Sequence, residues 1–169
     1  MSTKTALLAL GLFASTLGFS QPRNYGVSLE ETLEGNWISS DSSTVGSVVS
    51  AMTLSHPNLS RIIIDPTLDI NGKITVDGLT ESAVPVTGKL SFSFLPTEIM
   101  TYVLNFCLPT SECYSIEGKK HVINPTAISG PVRDANGTVL GTAYLQFDAI
   151  RDFVSMIRSI KITHGNENE

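Results

Sequence analysis

Cys107 and Cys113 stand close in sequence, and the large side chains on either side of them alternate in step. If Cys107 faces Cys113 across a hairpin, Phe106 faces Tyr114 and Leu104 faces Ile116. Successive side chains of a strand point to opposite faces, so all four apolar residues then share one side. Asn105 and Ser115 share the other side with the cysteines. Slipping the register by one residue breaks both patterns at once, so cysteine chemistry and hydrophobic alternation demand the same pairing. The intervening Leu-Pro-Thr-Ser-Glu is turn-like. A bridge closing so short a loop contributes about 2 to 2.5 kcal/mol in the chain-entropy account.

The rest of the second half reads as further antiparallel strands. Leu90, Phe92 and Phe94 alternate with Lys89, Ser91 and Ser93, the pattern of a half-buried strand. Asp134-Ala-Asn-Gly137 is a turn with Gly137 at a left-handed position, and it leads into Thr138 to Phe147. There Val139, Gly141, Ala143, Leu145 and Phe147 share a face. Arg61 to Asp65 is a β-branched run. Asn71-Gly72 marks a hairpin, with a three-residue loop pairing Ile70 with Ile74 and Leu68 with Val76. Val45, Val48, Val49 and Met52 leave residues 45–53 open between a short helix and a strand. Two helices are expected. Ser28 and Glu31 form a capping box with Gly35 as the stop, and Ile150, Phe153, Val154 and Ile157 form an apolar stripe behind Asp148. Ile160 to Thr163 is a candidate last strand. Many short strands with regular turn signals imply a mainly β domain, an antiparallel barrel with a short N-terminal and one C-terminal helix. A β-sandwich is the alternative.

The first residues imply export. Lys4 is the only charge before Arg23, Ala6 to Leu17 is almost continuously apolar, and Gly18 and Ser20 supply small residues at a cleavage site. This is the order of a secretory signal peptide over residues 1–20. The apolar run falls short of the roughly 20 residues that span a bilayer. A single β-rich domain over residues 21–163 and a flexible tail over 164–169 follow. The protein is then secreted, or periplasmic if its source is a bacterium. In that oxidising compartment the cysteine pair reads as a disulfide. Removing Lys4 takes the net charge from −5 to −6, which gives no pull toward nucleic acid or anionic lipid. No later apolar stretch is long enough for stable membrane insertion.

Chemistry is sparsely signalled. His56, His121 and His164 fit no zinc spacing and read as surface residues, and no metal or other cofactor is expected. No nucleophile elbow or phosphate-binding glycine loop is present, and no catalytic residue is assigned. Asn58-Leu-Ser60 and Asn136-Gly-Thr138 match the glycan-acceptor pattern and fall in expected loops.

A short helix followed by Gly35-Asn36-Trp37 at the start of the first strand resembles the G-x-W opening of lipocalins and the wider calycin group. That resemblance implies an eight-stranded barrel holding a small apolar ligand. It also implies a tryptophan closing one end, with a late arginine, Arg151 or Arg158, packed over it. The expected lining is Trp37, Phe92, Phe94, Tyr102, Phe106 and Tyr144, with the tyrosine hydroxyls available to a ligand. The expected partner is therefore a small apolar molecule. The alternative is an extracellular protein bound by a non-enzymatic adhesion module through the loops at 39–44 and 108–112.

Overall fold

The computed structural model describes residues 25–62, 64–92, 99–121, 127–147 and 158–164. Nine strands follow one another: β1 Tyr25–Ser39, β2 Val45–His56, β3 Thr67–Val76, β4 Val84–Ser91, β5 Ile99–Cys107, β6 Cys113–His121, β7 Ala127–Asp134, β8 Val139–Gln146 and β9 Lys161–His164. Each of β2 to β7 pairs antiparallel with its successor, and β8 and β2 both pair with β1. The first eight strands therefore close into an up-and-down barrel with no free sheet edge between them. The ninth continues the β8 side of β1, pairing Tyr25 with His164 and Ser28 with Lys161.

The hydrogen-bonding ladder fixes the barrel's dimensions. Starting at Leu29, it passes through Leu54, Ile70, Gly88, Leu104, Ile116, Val132 and Gly141, and returns to β1 at Ser39. The stagger is 39 − 29, or ten residues, over eight strands. Closure with that stagger tilts the strands by about 43° and sets a backbone radius of about 8 Å. An interior of that size either fills with side chains or holds one small molecule.

Alternation puts the core inside. In β2, Val48, Met52 and Leu54 point inward while Val45 and Val49 are exposed, so the ambiguous stretch is a strand. Leu104, Phe106 and Ile116 are buried, and the β5–β6 register is the one the cysteines and the alternation require, with Cys107 opposite Cys113 and bridged to it. The turn before β8 also forms as expected. Gly137 has φ +82, and the Asp134 carboxylate accepts from the backbone N–H groups of Asn136 and Thr138.

Three expectations are overturned. Arg61, Ile62, Ile64 and Asp65 lie in no strand: Leu59–Arg61 is a 3-10 turn and β3 begins only at Thr67. Residues 28–35 form no helix, because β1 runs straight through them, pairing with β2 from Val27 to Ile38. A single turn of helix would bury little, whereas the extended chain puts Val27, Leu29, Leu33 and Trp37 on the barrel's inner face. Nor is Asn71-Gly72 a turn. Both residues lie mid-strand in β3, paired with Thr53 and Met52 on one side and Thr87 and Val86 on the other. Ile70 and Ile74 are therefore inward residues of one strand on either side of Gly72, not a cross-strand pair. The expected C-terminal helix falls mostly on residues 148–157, outside the described residues, as do the segment 1–20 and residues 165–169.

Gly72 has another use. A Cβ there would overlap the Ala51 carbonyl of β2. The same holds at Gly88 against Val103, at Gly130 against Glu117 and at Gly35 against Tyr144. These positions mark sharp bends where a tightly coiled sheet brings neighbouring backbones together. Gly88→Ala should therefore destabilise the protein by about 3 kcal/mol, since backbone must move to admit the methyl. Urea unfolding followed by circular dichroism measures this, and a loss under about 1 kcal/mol would show that the sheet relaxes freely.

Candidate functional site

One end of the barrel is built shut. Trp37 is buried near the end of β1, and its indole N–H donates to the Asp77 carbonyl at 2.7 Å, in the β3–β4 connection. The Asp77 carboxylate in turn accepts from the Ser47 backbone N–H at 3.2 Å and hydroxyl at 2.5 Å, and these bonds hold its pKa below the ordinary carboxylate range. The Thr80 hydroxyl accepts from the Val76 N–H and closes the same connection. Gly46 and Gly78 leave room for the indole, and Gly78 sits at φ +82. Beside this plug, Phe106 stacks on Tyr114 with ring centroids 5.5 Å apart.

The middle of the barrel holds a buried link between a ring hydroxyl and a carboxylate. Glu31 and Tyr102 are 6% and 2% exposed, and the Tyr102 hydroxyl lies 3.2 and 3.0 Å from the two carboxylate oxygens of Glu31. The topology explains why they meet. Strands β1 and β5 are four strands apart by either route, so they face each other across the axis. The ladder through Leu104 reaches β1 at Leu29 one way and at Ser39 the other, which puts Leu104 level with position 34 midway between. Both strands run in the same direction, so Tyr102 is level with position 32, and the inward residues beside it are Glu31 and Leu33. Hydrophobic neighbours surround the pair. Leu29 and Leu33 flank Glu31, which pairs with Met52; Met100 and Leu104 flank Tyr102, which pairs with Leu90 and Gly118.

Burial pushes the Tyr102 hydroxyl well above its ordinary pKa, and the nearby Glu31 charge adds to the effect. The phenol is thus a fixed O–H donor. A carboxylate in this setting costs several kcal/mol of lost hydration before its hydrogen bonds are counted. Groups that costly are characteristic of sites where charge does a task.

The expected lining is only partly assembled. Tyr102 and Phe106 point into the barrel, Trp37 belongs to the plug with its N–H already engaged, and Phe92 packs partly buried just beyond β4. Phe94 lies outside the described residues. Tyr144 does not face inward: it is 51% exposed on the outer wall, because Ala143 and Leu145 take the inner face. Arg158 does not cover Trp37. It is exposed beside β9, which pairs with the far end of β1, about 30 to 40 Å along the strand from the indole. Arg151 lies outside the described residues.

His56 is a correction too. It is buried at the end of β2, where its Nδ1 accepts from the Asn58 backbone N–H at 2.9 Å. The side chain of His121 lies outside the described residues, and His164 pairs through its backbone with Tyr25. Asn136 is exposed at a turn tip, whereas the Asn58 side-chain oxygen Oδ1 caps the short 3-10 turn Leu59–Arg61 by accepting from the Ser60 N–H and hydroxyl. In the 39–44 loop, Asp41 accepts from Ser39 and Ser43, which lowers its pKa to about 2. Glu31 is the residue the sequence reading missed. Its signal was there, at the inward position between Leu29 and Leu33.

Among the described residues no helix is long and apolar enough to cross a membrane, and no group of side chains has the makeup of a metal site. No protein-family model, curated protein or solved structure matches the chain. Fold and site together define a small, disulfide-bridged, closed eight-stranded antiparallel β-barrel, plugged at one end and crossed inside by a carboxylate–phenol pair. That architecture agrees with the calycin-like layout read from the sequence.

Proposed function

We propose that this chain is an exported barrel that binds one small, largely apolar molecule in its interior. The observation that carries the reading is the Glu31–Tyr102 pair, buried at mid-height in a mostly apolar lining. A solid core gains nothing from a buried carboxylate, whereas a binding cavity gains a fixed polar contact that orients its ligand. The plug at Trp37 closes one end, so the ligand enters from the other, where Val27, Leu29, Leu54 and Phe147 line the wall. The local disulfide and the signal-like segment 1–20 support an oxidising destination, with Asn136 as the better placed glycan acceptor.

The test is purification from the exported fraction. The mature chain should begin at Gln21. Native mass spectrometry should show a retained mass of a few hundred daltons, the size such a pocket holds, or Nile red should bind saturably at one per chain. A protein with neither retained mass nor saturable dye binding rejects the reading.

The interaction-module reading is favoured by a different observation. Ile38, Val45, Val49 and Tyr144 are exposed together on the outer wall formed by β1, β2 and β8. Exposed apolar groups that share one surface mark contact sites more often than scattered ones do.

A further inference from the structure

We propose that the turn from Asp134 to Gly137 is a site of spontaneous covalent modification. Asn136 closes onto the Gly137 nitrogen and is converted to isoaspartate and aspartate, while the barrel holds the chain's other Asn-Gly pair inert. The proposal is independent of the carrier reading.

The dipeptide sets the chemistry. The Gly137 backbone nitrogen attacks the Asn136 side-chain carbon Cγ. An N–Cγ bond forms, the nitrogen gives up its proton to water, and the Cγ–Nδ2 bond breaks with Nδ2 leaving as ammonia. Water then opens the five-membered imide. Attack at Cγ restores the main chain with aspartate at 136. Attack at the main-chain carbonyl leaves the chain running through Cβ and Cγ, as isoaspartate. One water enters and one ammonia leaves. A glycine after the asparagine has no side chain to obstruct the attack.

The two Asn-Gly pairs, at 71–72 and 136–137, differ in backbone and not in access to water. Both asparagines are exposed. Asn71 and Gly72, however, are paired with Thr53 and Met52 on one side and with Thr87 and Val86 on the other. Ring closure requires the backbone to rotate at the asparagine, and a strand paired on both sides must leave the sheet first. Asn136 and Gly137 belong to no strand. Around Gly137 there is open space, since a Cβ there would meet nothing within 4 Å. The attacking nitrogen is restrained by the turn's own bond, from the Gly137 N–H to the Asp134 carbonyl at 3.0 Å. Ala135 to Val139 are all exposed, so opening that turn uncovers no core.

Isoaspartate lengthens the main chain by one atom. It also adds a carboxylate beside that of Asp134, which already accepts from the Asn136 and Thr138 N–H groups. Conversion therefore loosens the turn that joins β7 to β8. It also consumes the nitrogen on which Asn136-Gly-Thr138 would carry a glycan, so the two fates exclude each other.

Protein from a host that does not N-glycosylate, held folded at neutral pH and 37 °C, tests this by peptide mapping. Labelling with isoaspartyl methyltransferase identifies the isomer. A parallel sample unfolded in guanidinium chloride gives each pair its unrestrained rate. In the folded protein Asn136 should convert within about tenfold of that rate, and Asn71 at least about a hundredfold below its own. Retardations of the two that differ by less than about tenfold overturn the proposal. So does an Asn136 that stays intact in the folded protein, whatever the unfolded sample does. The comparison is made within one wild-type chain and needs no variant to fold.

Discussion

Trp37→Ala should destabilise the protein by about 3 to 5 kcal/mol, the range for removing a buried aromatic ring from a packed core. The chain has one tryptophan, and it is buried at the closed end of the barrel. Two losses combine. The indole's apolar surface is replaced by a void between Gly46 and Gly78, neither of which has a side chain to fill it. The Asp77 carbonyl also loses the donor that ties the β3–β4 connection to β1. Trp37→Phe separates the two: it keeps most of the ring and removes the N–H, and should cost about 1 to 2 kcal/mol. Urea unfolding by circular dichroism is the measurement, since the variants lack the usual fluorophore. Domains of this size hold only about 5 to 15 kcal/mol in total, so the alanine variant should be marginal at 37 °C. A cost below about 1 kcal/mol would mean that the indole does not plug the end.

Much of this architecture was legible because alternation is a local record of which face is dry. The β5–β6 register could be read because two independent constraints coincide at Cys107, Phe106 and Leu104. The turn at Asp134 to Gly137 was readable because a left-handed glycine and a capping aspartate act within five residues of each other. The failures came where a local motif competed with a non-local one. Asn71-Gly72 carries a hairpin signature, yet Gly72 is needed against the Ala51 carbonyl, a contact between strands that no short window contains. Ser28 and Glu31 have capping-box spacing, but β1 is paired along most of its length with β2, and closing the barrel outweighs one helical turn.

The site was legible in half. The parity of Tyr102 with Leu104 and Phe106 places it inside, and its hydroxyl meets Glu31 there. Glu31 was hidden by the cap motif, and its partner lies 71 residues away on the opposite wall, joined to it only by the stagger of the whole barrel. Tyr144 could have been placed correctly. The parity that puts Ala143 and Leu145 inside puts Tyr144 outside, whatever its aromatic character.

The second large effect concerns whether the buried pair serves the fold or the ligand, and a double-mutant cycle decides it. Tyr102→Phe should cost about 2 to 3 kcal/mol, because a buried carboxylate loses a donor while the ring and its packing stay. Glu31→Leu trades two opposing terms: the phenol O–H loses its acceptor, but the desolvated charge disappears, so the net change should be within about 1 kcal/mol of zero. With both replaced, neither unpaired group remains, and an apolar interior of similar volume results. Such replacements of buried polar pairs are commonly neutral or stabilising by about 1 to 4 kcal/mol. The cycle should therefore show a coupling of about 1.5 to 3 kcal/mol, with Glu31→Leu/Tyr102→Phe at least as stable as the wild type. Gain in stability together with loss of saturable Nile red binding would mean that the pair is kept at the fold's expense, as a site is. If the double variant instead loses the sum of the single costs, the two side chains are not coupled, and the interior pair is no basis for binding.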